Sequence, residues 1–290
     1  VTRLFIIGSP VTPGPAEAVQ RAALAATGHE VEIERWERRA HQLTEALGEL
    51  VRPDVLGAMI GSPHKEKAAS LIGLLSDEAR ASGAVNVVVN RDGRLHGHNT
   101  DVAGVRAGLE AILPAEGRRP TQAVVLGAGG GARAVVSVLL ETGLSRIAVF
   151  NRHLHRAEAV VAHFDRIARE ADLRAMPWHE TIIESELARA RLVVNASGIG
   201  ADTVESPIRP DLLPDDLYVL DLVLSRSETP LMVAAAARGG TVANGQGSFL
   251  VAQAAAFEVW TGAPPPDDVM RTALAAHLGL PEEGLAVVGD

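Results

Sequence analysis

The 290-residue chain contains no cysteine. Disulfides, thiol nucleophiles and thiolate metal sites are excluded, and a cytoplasmic setting is the expectation. Aromatic residues make up only 3%; beside abundant Ala, Arg and Gly this reads as a coding bias without functional content. Positive charge is in deficit, since 27 basic against 36 acidic residues leave a formal charge of −9. A nucleic-acid or acidic-membrane surface is therefore not expected. No apolar run approaches membrane-spanning length, and no basic segment precedes a signal-type apolar stretch near the start. What remains is 47% hydrophobic and 22% charged, a globular composition with room for one large or two ordinary domains.

The chain is organised around residues 123–156. Ala123-Val124-Val125-Leu126 is a short apolar run of buried-strand type, and Gly127-Ala128-Gly129-Gly130-Gly131-Ala132 follows as G-x-G-x-x-A. An Ala-, Val- and Leu-rich helical run then reaches Glu141, Gly143 stops it, and Ile147-Ala148-Val149-Phe150 forms a second strand pattern. This strand, glycine turn, helix and strand spell a dinucleotide-binding βαβ unit. Gly127, Gly129, Gly130, Gly131 and Ala132 let backbone approach a pyrophosphate at a helix N-terminus. Glycine patterns also arise in plain tight turns, so the flanking elements carry the assignment. The second strand ends in Asn151-Arg152, with Arg156 a helical turn further on. An NAD site places a carboxylate here for the ribose hydroxyl, whereas two guanidiniums suit the 2′-phosphate of NADP. The plainer reading of the same pair is a solvated helix start.

Taken in order, residues 3–7 read as a strand, 16–27 as a helix, 31–33 as a strand and 41–51 as a helix. Val55–Ile60 is a further strand, ending in Gly61-Ser62-Pro63-His64-Lys65 before a helix. Ala84 to Asn90 reads as a strand, with Arg94-Leu95-His96 as its hairpin partner across Arg91-Asp92-Gly93. Asn99-Thr100-Asp101 is placed to cap a helix to Leu113. This alternation predicts an open α/β sheet of its own. The stretch from Pro114 to Pro120 is the clearest boundary signal. Beyond the glycine loop, strands are expected near 192–195 and 218–222, and a helix from Gly247 to Thr261 that is ended by Gly262 and Pro264-Pro265-Pro266.

Gly83-Ala84-Val85-Asn86 and Gly97-His98-Asn99-Thr100-Asp101-Val102-Ala103-Gly104 resemble the shikimate dehydrogenase family. Pro63-His64-Lys65 resembles that family's catalytic Pro-x-Lys, Gly127 to Ala134 its glycine loop, and Asn151-Arg152 with Arg156 its NADP clamp. Asn195-Ala196-Ser197-Gly198 resembles the loop before the nicotinamide. Thr229-Pro230-Leu231 and Phe249-Leu250-Val251-Ala252-Gln253-Ala254 resemble its C-terminal signatures. The matches run in the family's order from about residue 55 to 262. The resemblance implies an α/β protein with an N-terminal open α/β substrate domain, residues 1–101, completed by about 245–290. A Rossmann-type NADP-binding domain follows over 102–244 with the connecting helix, and C-terminal helices return to the first domain. It implies NADP as cofactor, no metal, a small-molecule substrate, and a monomer or homodimer.

In that family the Lys and Asp flank the hydroxyl that is oxidised, which carries over to Lys65 and Asp101. Loss of hydride from an alcohol carbon must be accompanied by loss of the hydroxyl proton, so a positioned acid/base is needed. Lys65 serves if burial lowers its pKa, and Asp101 orients the ammonium. Alone, Lys65 reads as a solvated helix start and Asp101 as an N-cap. Asn86 and Gln253 are the expected substrate-hydroxyl binders; each also reads as a satisfied core amide, Gln253 sharing a helix face with Phe249, Phe257 and Trp260. Thr12 and Ser62 are the remaining substrate-binding candidates. Asn195, Ala196, Ser197, Leu222 and Gly245 complete the expected cofactor-binding residues. His64, His96 and His98 lack accompanying carboxylates at ligand spacing, and no metal is expected.

The departures concentrate at one end of the expected pocket. The family's Ser-x-Ser-Pro, which grips the substrate carboxylate, is replaced by Thr12-Pro13-Gly14-Pro15. Gly61 stands where the family has Thr, Val87 where Thr is usual, and Leu224 in the place of a Tyr near the carboxylate. The expected activity is hydride transfer between NADP(H) and a cyclic polyol or its ketone: shikimate, quinate or a related compound, with weak affinity for shikimate itself. The alternatives are a dinucleotide-binding sensor with a decayed pocket, and an S-adenosylmethionine-dependent methyltransferase, which has no phosphate for Arg152 and Arg156 to hold.

Overall fold

The computed structural model describes residues 2–115, 119–165, 167–168, 171–201, 204–281 and 285. The chain forms two compact units, Val1–Ala103 with Leu250–Leu285, and Gly104–Phe249.

In the first unit the alternation of short apolar strands with Ala-rich helices builds β1 (Thr2–Gly8), α1 (Pro15–Ala26), β2 (Val31–Glu37), α2 (Leu43–Glu49), β3 (Val55–Ile60), α3 (Lys65–Leu71), β4 (Leu74–Leu75), α4 (Asp77–Ser82), β5 (Val87–Arg91), β6 (Arg94–His98) and the start of α5 (Asp101–Ile112). The six strands form one sheet in the order β2-β1-β3-β5-β6-β4. β1 runs parallel to β2 and β3, while β5 is antiparallel to both β3 and β6. Phe5, Ile7, Val55, Ala58 and Ile60 from the sheet close a core with Leu43, Leu47 and Ala68 of α2 and α3. β5 begins three residues later than the expected 84–90. The Val85 N–H turns away to the Lys65 carbonyl at 2.9 Å, so the ladder starts only at Asn86, whose carbonyl accepts from Ile60 N–H and whose N–H donates to His98.

The second unit contains the rest of α5, then β7 (Gln122–Leu126), α6 (Gly130–Glu141), β8 (Arg146–Asn151), α7 (Leu154–Phe164), β9 (Asp172–Pro177), α8 (Glu180–Leu187), β10 (Leu192–Asn195), β11 (Tyr218–Asp221), α9 (Pro230–Ala236) and β12 (Thr241–Ala243). All six strands are parallel, in the order β12-β11-β10-β7-β8-β9. Sequence order reverses direction at β7/β10, the switch point where ligands of doubly wound sheets bind beyond the carboxyl ends of the strands. Strands covered on both faces explain the unbroken apolar runs: Val124, Val125, Val193 and Val194 are fully buried. Thr229 caps α9, accepting from Met232 N–H at 3.3 Å, with Pro230 in the first turn.

α10 (Gly245–Thr261) and α11 (Asp267–Leu278) end the described fold. α10 starts two residues before the expected Gly247, and α11 resumes helix after the proline run. From residue 250 the chain is again part of the first unit. There the Trp260 indole N–H donates to the Val88 carbonyl at 2.9 Å, and Gln20 of α1 bonds Gln253 of α10. Among the described residues no helix is long and apolar enough to cross a membrane.

Candidate active site

Each unit carries one constellation, and each is built at the carboxyl ends of its strands. In the first unit β3 ends at Ile60, and Gly61-Ser62-Pro63-His64 turns the chain into α3, which opens with Lys65. Gly61 N–H donates to Ile7 at 2.7 Å and Ser9 N–H to Ser62 at 3.1 Å, which lays this turn against the loop after β1. His64 is fully buried and its Nε2 lies 2.6 Å from the Arg38 carbonyl, an acceptor that requires the proton on that nitrogen. It anchors the turn that presents Lys65.

Lys65 Nζ donates to Asp101 Oδ2 at 2.6 Å, and both side chains are roughly four-fifths buried, at 21% and 24% exposure. Asn86 Nδ2 donates to Asp101 Oδ1 at 2.8 Å and to Thr100 Oγ1 at 2.9 Å, while Asn86 Oδ1 accepts from Thr100 N–H at 2.9 Å. Both Asp101 oxygens are thus directed, one by an amide and one by an ammonium. This corrects the capping expectation for 99–101. Asp101 faces Lys65 and Asn86, Thr100 accepts from Asn86, and Asn99 donates to Ser82 at 2.8 Å, so none accepts from a first-turn N–H of α5. It also limits Asn86, whose two amide donors are committed inside the network and which keeps only a lone pair of Oδ1 for another group.

Thr12 and Ser62 are exposed, and neither hydroxyl has a partner among the described residues. They belong to the loops after β1 and β3 and make no hydrogen bond to the Lys65 cluster. Gln253 is 8% exposed and accepts from Gln20. A Cβ on Gly61 would lie 3.4 Å from the Ile7 carbonyl, ordinary contact, so the missing Thr is not forbidden by the backbone. Half-burial, with His96 nearby, lowers the pKa of His98 below its ordinary value. Among the described residues no group of three or more His, Asp or Glu side chains is placed to hold a metal.

In the second unit Gly127 leaves β7 with φ +109°, and its N–H donates to Phe150 at 2.7 Å. A Cβ here would lie 2.5 Å from the Ala196 carbonyl, so only glycine lets the loops after β7 and β10 touch. Gly129 stands at the N-cap of α6 without a side-chain cap, and no acidic residue occupies the first turn. The N–H groups of Gly130, Gly131 and Ala132 lack intrahelical partners, as at any helix start, beside the positive end of the helix dipole. Arg152 and Arg156 are exposed, and neither guanidinium has a hydrogen-bonding or ionic partner among the described residues. Arg156 Nη2 lies 3.8 Å from where a Gly129 Cβ would be, directly beside the loop. Free donors beside the Arg156 guanidinium, with Arg152 and no carboxylate following β8, fit a dinucleotide bearing an extra phosphate. Asn151 spends its amide on the His153 carbonyl at 2.9 Å and shapes the turn that carries Arg152.

The loop after β10 brings a second correction. Asn195 is fully buried and saturated: Nδ2 donates to Ile199 at 3.0 Å and Asp221 Oδ1 at 2.9 Å, and Oδ1 accepts from Ser197 N–H and Oγ. It has no polar atom left for a ligand and acts by holding Ala196 and Ser197 in place. Asp221 ties the same loop to the next, accepting also from Val223 N–H at 3.1 Å and Thr229 Oγ1 at 2.6 Å. Burial raises its pKa above the ordinary value, against the opposing hydrogen bonds from Thr229, Val223 and Asn195. Leu222 N–H donates to Asn195, and a Cβ on Gly245 would lie 2.7 Å from Leu222 backbone, so α10 begins hard against the end of β11. Sequence reasoning gave Asp221 no role, and quoted Thr229 and Thr100 within motifs without assigning them these hydrogen bonds. An acidic residue closing an apolar strand, and a Thr before a Pro at a helix start, were the available signals. It also passed over a signal at Lys65, because Lys65 and Lys67 are the only lysines among 27 basic side chains. Of the two, Lys65 meets the Asp101 carboxylate, and there a lysine, unlike an arginine, supplies a cation able to release its proton.

A parallel sheet with a glycine loop at its switch point, and a lysine–aspartate pair on a separate α/β unit, define a dinucleotide-dependent oxidoreductase. Residues 6–88 match the model of the shikimate dehydrogenase substrate binding domain, and residues 114–198 that of shikimate / quinate 5-dehydrogenase. Shikimate dehydrogenase (NADP(+)) of Streptococcus pneumoniae (strain Hungary19A-6) is 32% identical over 273 residues, 92% of this chain and 94% of the relative. The crystal structure of shikimate 5-dehydrogenase from Thermus thermophilus in complex with NADP(H) and shikimate is 35% identical. It covers 96% of this chain and 100% of that one with a TM-score of 0.78. The ligand-free 5-ketofructose reductase of Gluconobacter sp. strain CHM43 is 26% identical, with a TM-score of 0.77 over 95% and 98% of the two chains. The chain belongs to the shikimate dehydrogenase family.

Proposed function

We propose that Lys65 is the acid/base and Asp101 its orienting partner in hydride transfer between NADP(H) and a cyclic polyol or its ketone, and that the pocket favours substrates without shikimate's carboxylate. The chain is an NADP-dependent dehydrogenase of the shikimate dehydrogenase group. The observation that carries the assignment of roles is the 2.6 Å contact of Lys65 with Asp101, itself held by Asn86.

NADPH, when bound, supplies the hydride that the carbonyl carbon takes up. In that direction Lys65 donates a proton to the carbonyl oxygen as charge develops on it. In the oxidising direction the same nitrogen takes the hydroxyl proton. Asp101 keeps Nζ in one place, and Asn86 keeps Asp101 from turning away. The N–H groups at the start of α6 would hold the pyrophosphate, and Arg152 and Arg156 the 2′-phosphate. Asn195 and Asp221 shape the loop of Ser197 beside them.

The substrate preference rests on what is missing. Gly61, Leu224 and the Thr12-Pro13-Gly14-Pro15 loop replace hydroxyl-bearing residues, and a carboxylate short of donors is not repaid for its lost hydration. A relative named as a 5-ketofructose reductase supports an uncharged polyhydroxy ketone as a substrate type for this fold. Cytoplasmic location and a monomer or homodimer remain part of the same proposal. The experiment is turnover of NADPH with cyclic ketones and of NADP with polyols, with and without Lys65→Ala. Activity confined to the unmodified enzyme supports the roles of Lys65 and Asp101, and an equally active Lys65→Ala variant overturns them.

A further inference from the structure

Gln20 of α1 and Gln253 of α10 are 233 positions apart and meet through their side chains. Gln20 has no exposed surface, and Gln253 is 8% exposed. Gln20 Nε2 lies 2.8 Å from the Gln253 backbone carbonyl and 3.1 Å from Gln253 Oε1. A backbone carbonyl can only accept, so the nitrogen of Gln20 must face it. Both N–H groups of Gln20 are then spent on Gln253, and the second requires an acceptor, which fixes Gln253 with Oε1 inward. Turning either amide over would set two donors or two acceptors against each other. The arrangement is kept although Gln20 Oε1 is left enclosed without a partner, an unfavourable state for a buried acceptor. Gln253 Nε2, by contrast, has no hydrogen-bond partner among the described residues and is not among the enclosed atoms.

We propose that Gln20 is a positioning residue that locks Gln253 with its amide nitrogen outward, so that Gln253 offers substrate two N–H donors and no acceptor. This rests on the reading of Gln253 as a substrate-contacting residue. The matching substrate atom is an oxygen with free lone pairs, a hydroxyl or carbonyl oxygen. An ammonium substituent at that position, which has no lone pair to accept with, meets a donor face and is rejected. Without Gln20 the amide is free to rotate, and half of its orientations present the wrong atom.

The test has two arms on the full chain. In the first, glutamine side-chain amides are followed by ¹⁵N NMR without substrate: the Gln20 amide exchanges slowly with solvent and the Gln253 amide quickly. The reverse order, or equal rates, overturns the orientation whatever the substrate proves to be. In the second, Gln20→Met, which keeps volume but removes both donors, raises the substrate KM about 5- to 10-fold, the worth of one neutral hydrogen bond. The KM for NADPH stays unchanged. In a Gln253→Ala background the same substitution adds less than about 2-fold, because its effect passes through Gln253. An unchanged KM in Gln20→Met, or an equal rise in both backgrounds, leaves Gln20 a packing residue and overturns the proposal. If no polyol or ketone is turned over at all, the proposed substrate class fails while the exchange result stands by itself.

Discussion

The Lys65 ammonium and the Asp101 carboxylate, 36 positions apart, meet at 2.6 Å on the first unit, with the second carboxylate oxygen taken by Asn86. A lysine held at one point by a carboxylate that cannot itself rotate is a proton carrier with fixed geometry. Lys65→Ala is expected to lower kcat by about 10²–10⁴-fold while the Kd for NADPH stays near that of the unmodified enzyme. Lys67→Arg serves as the control and keeps its activity. Steady-state kinetics with direct NADPH titration separates the two effects, and a Lys65→Ala enzyme with most of its activity would place the chemistry elsewhere.

Arg152 and Arg156 face no carboxylate among the described residues, and only the 2′-phosphate distinguishes NADPH from NADH. Arg152→Ala removes one charge-assisted contact, worth about 1.5–3 kcal/mol, so NADPH should bind roughly 10- to 150-fold more weakly. NADH should be little affected. Equal losses for the two cofactors, measured by fluorescence titration, would remove Arg152 from the phosphate site.

The glycine loop and its flanking strands were legible because parallel strands buried on both faces leave unbroken apolar runs, and Gly127 alone can touch Ala196. The pairing of Lys65 with Asp101 came from the family resemblance, since no local pattern joins residues that distant. Hydrogen-bond direction was not legible. Asn195 reads as a ligand by motif, yet its four bonds close within the loops, and Asn86 spends its donors on Thr100 and Asp101. Gln20, between Val19 and Arg21 in an Ala-rich helix, gave no sign of being buried, because the partner that buries it lies 233 positions away. α11, one of the C-terminal helices the resemblance implied, had no bounds from the residues, because three prolines end one helix without marking where the next begins.

Gly127→Ala tests the loop contact. A positive φ and an overlap with the Ala196 carbonyl together should cost about 2–4 kcal/mol. Thermal unfolding should therefore shift down by several degrees, and NADPH affinity should fall with it. A variant of unchanged stability and affinity would mean that the two loops do not touch as described.

Asp221 gives a pH dependence of defined sign. Burial raises its folded-state pKa, so the folded protein holds this proton more tightly than the unfolded chain. The stability it contributes is fully present below the unfolded aspartate pKa of about 3.9 and is lost as pH rises through the higher folded value. The stability of the unmodified protein relative to Asp221→Asn should therefore decline with rising pH over that window and level off above it. Thermal unfolding of both proteins across the acid range measures the difference, and a difference that grows with pH would contradict the assignment.

The central claim is a dehydrogenase with its proton-transfer end intact and its carboxylate end altered. The most direct test is steady-state kinetics of the unmodified protein with shikimate and NADP, beside carboxylate-free cyclic polyols under the same conditions. The expected result is NADP-dependent turnover of a carboxylate-free polyol, with a KM for shikimate raised by orders of magnitude and the loss lying mainly in binding. Brisk turnover of shikimate with an ordinary micromolar KM would contradict it.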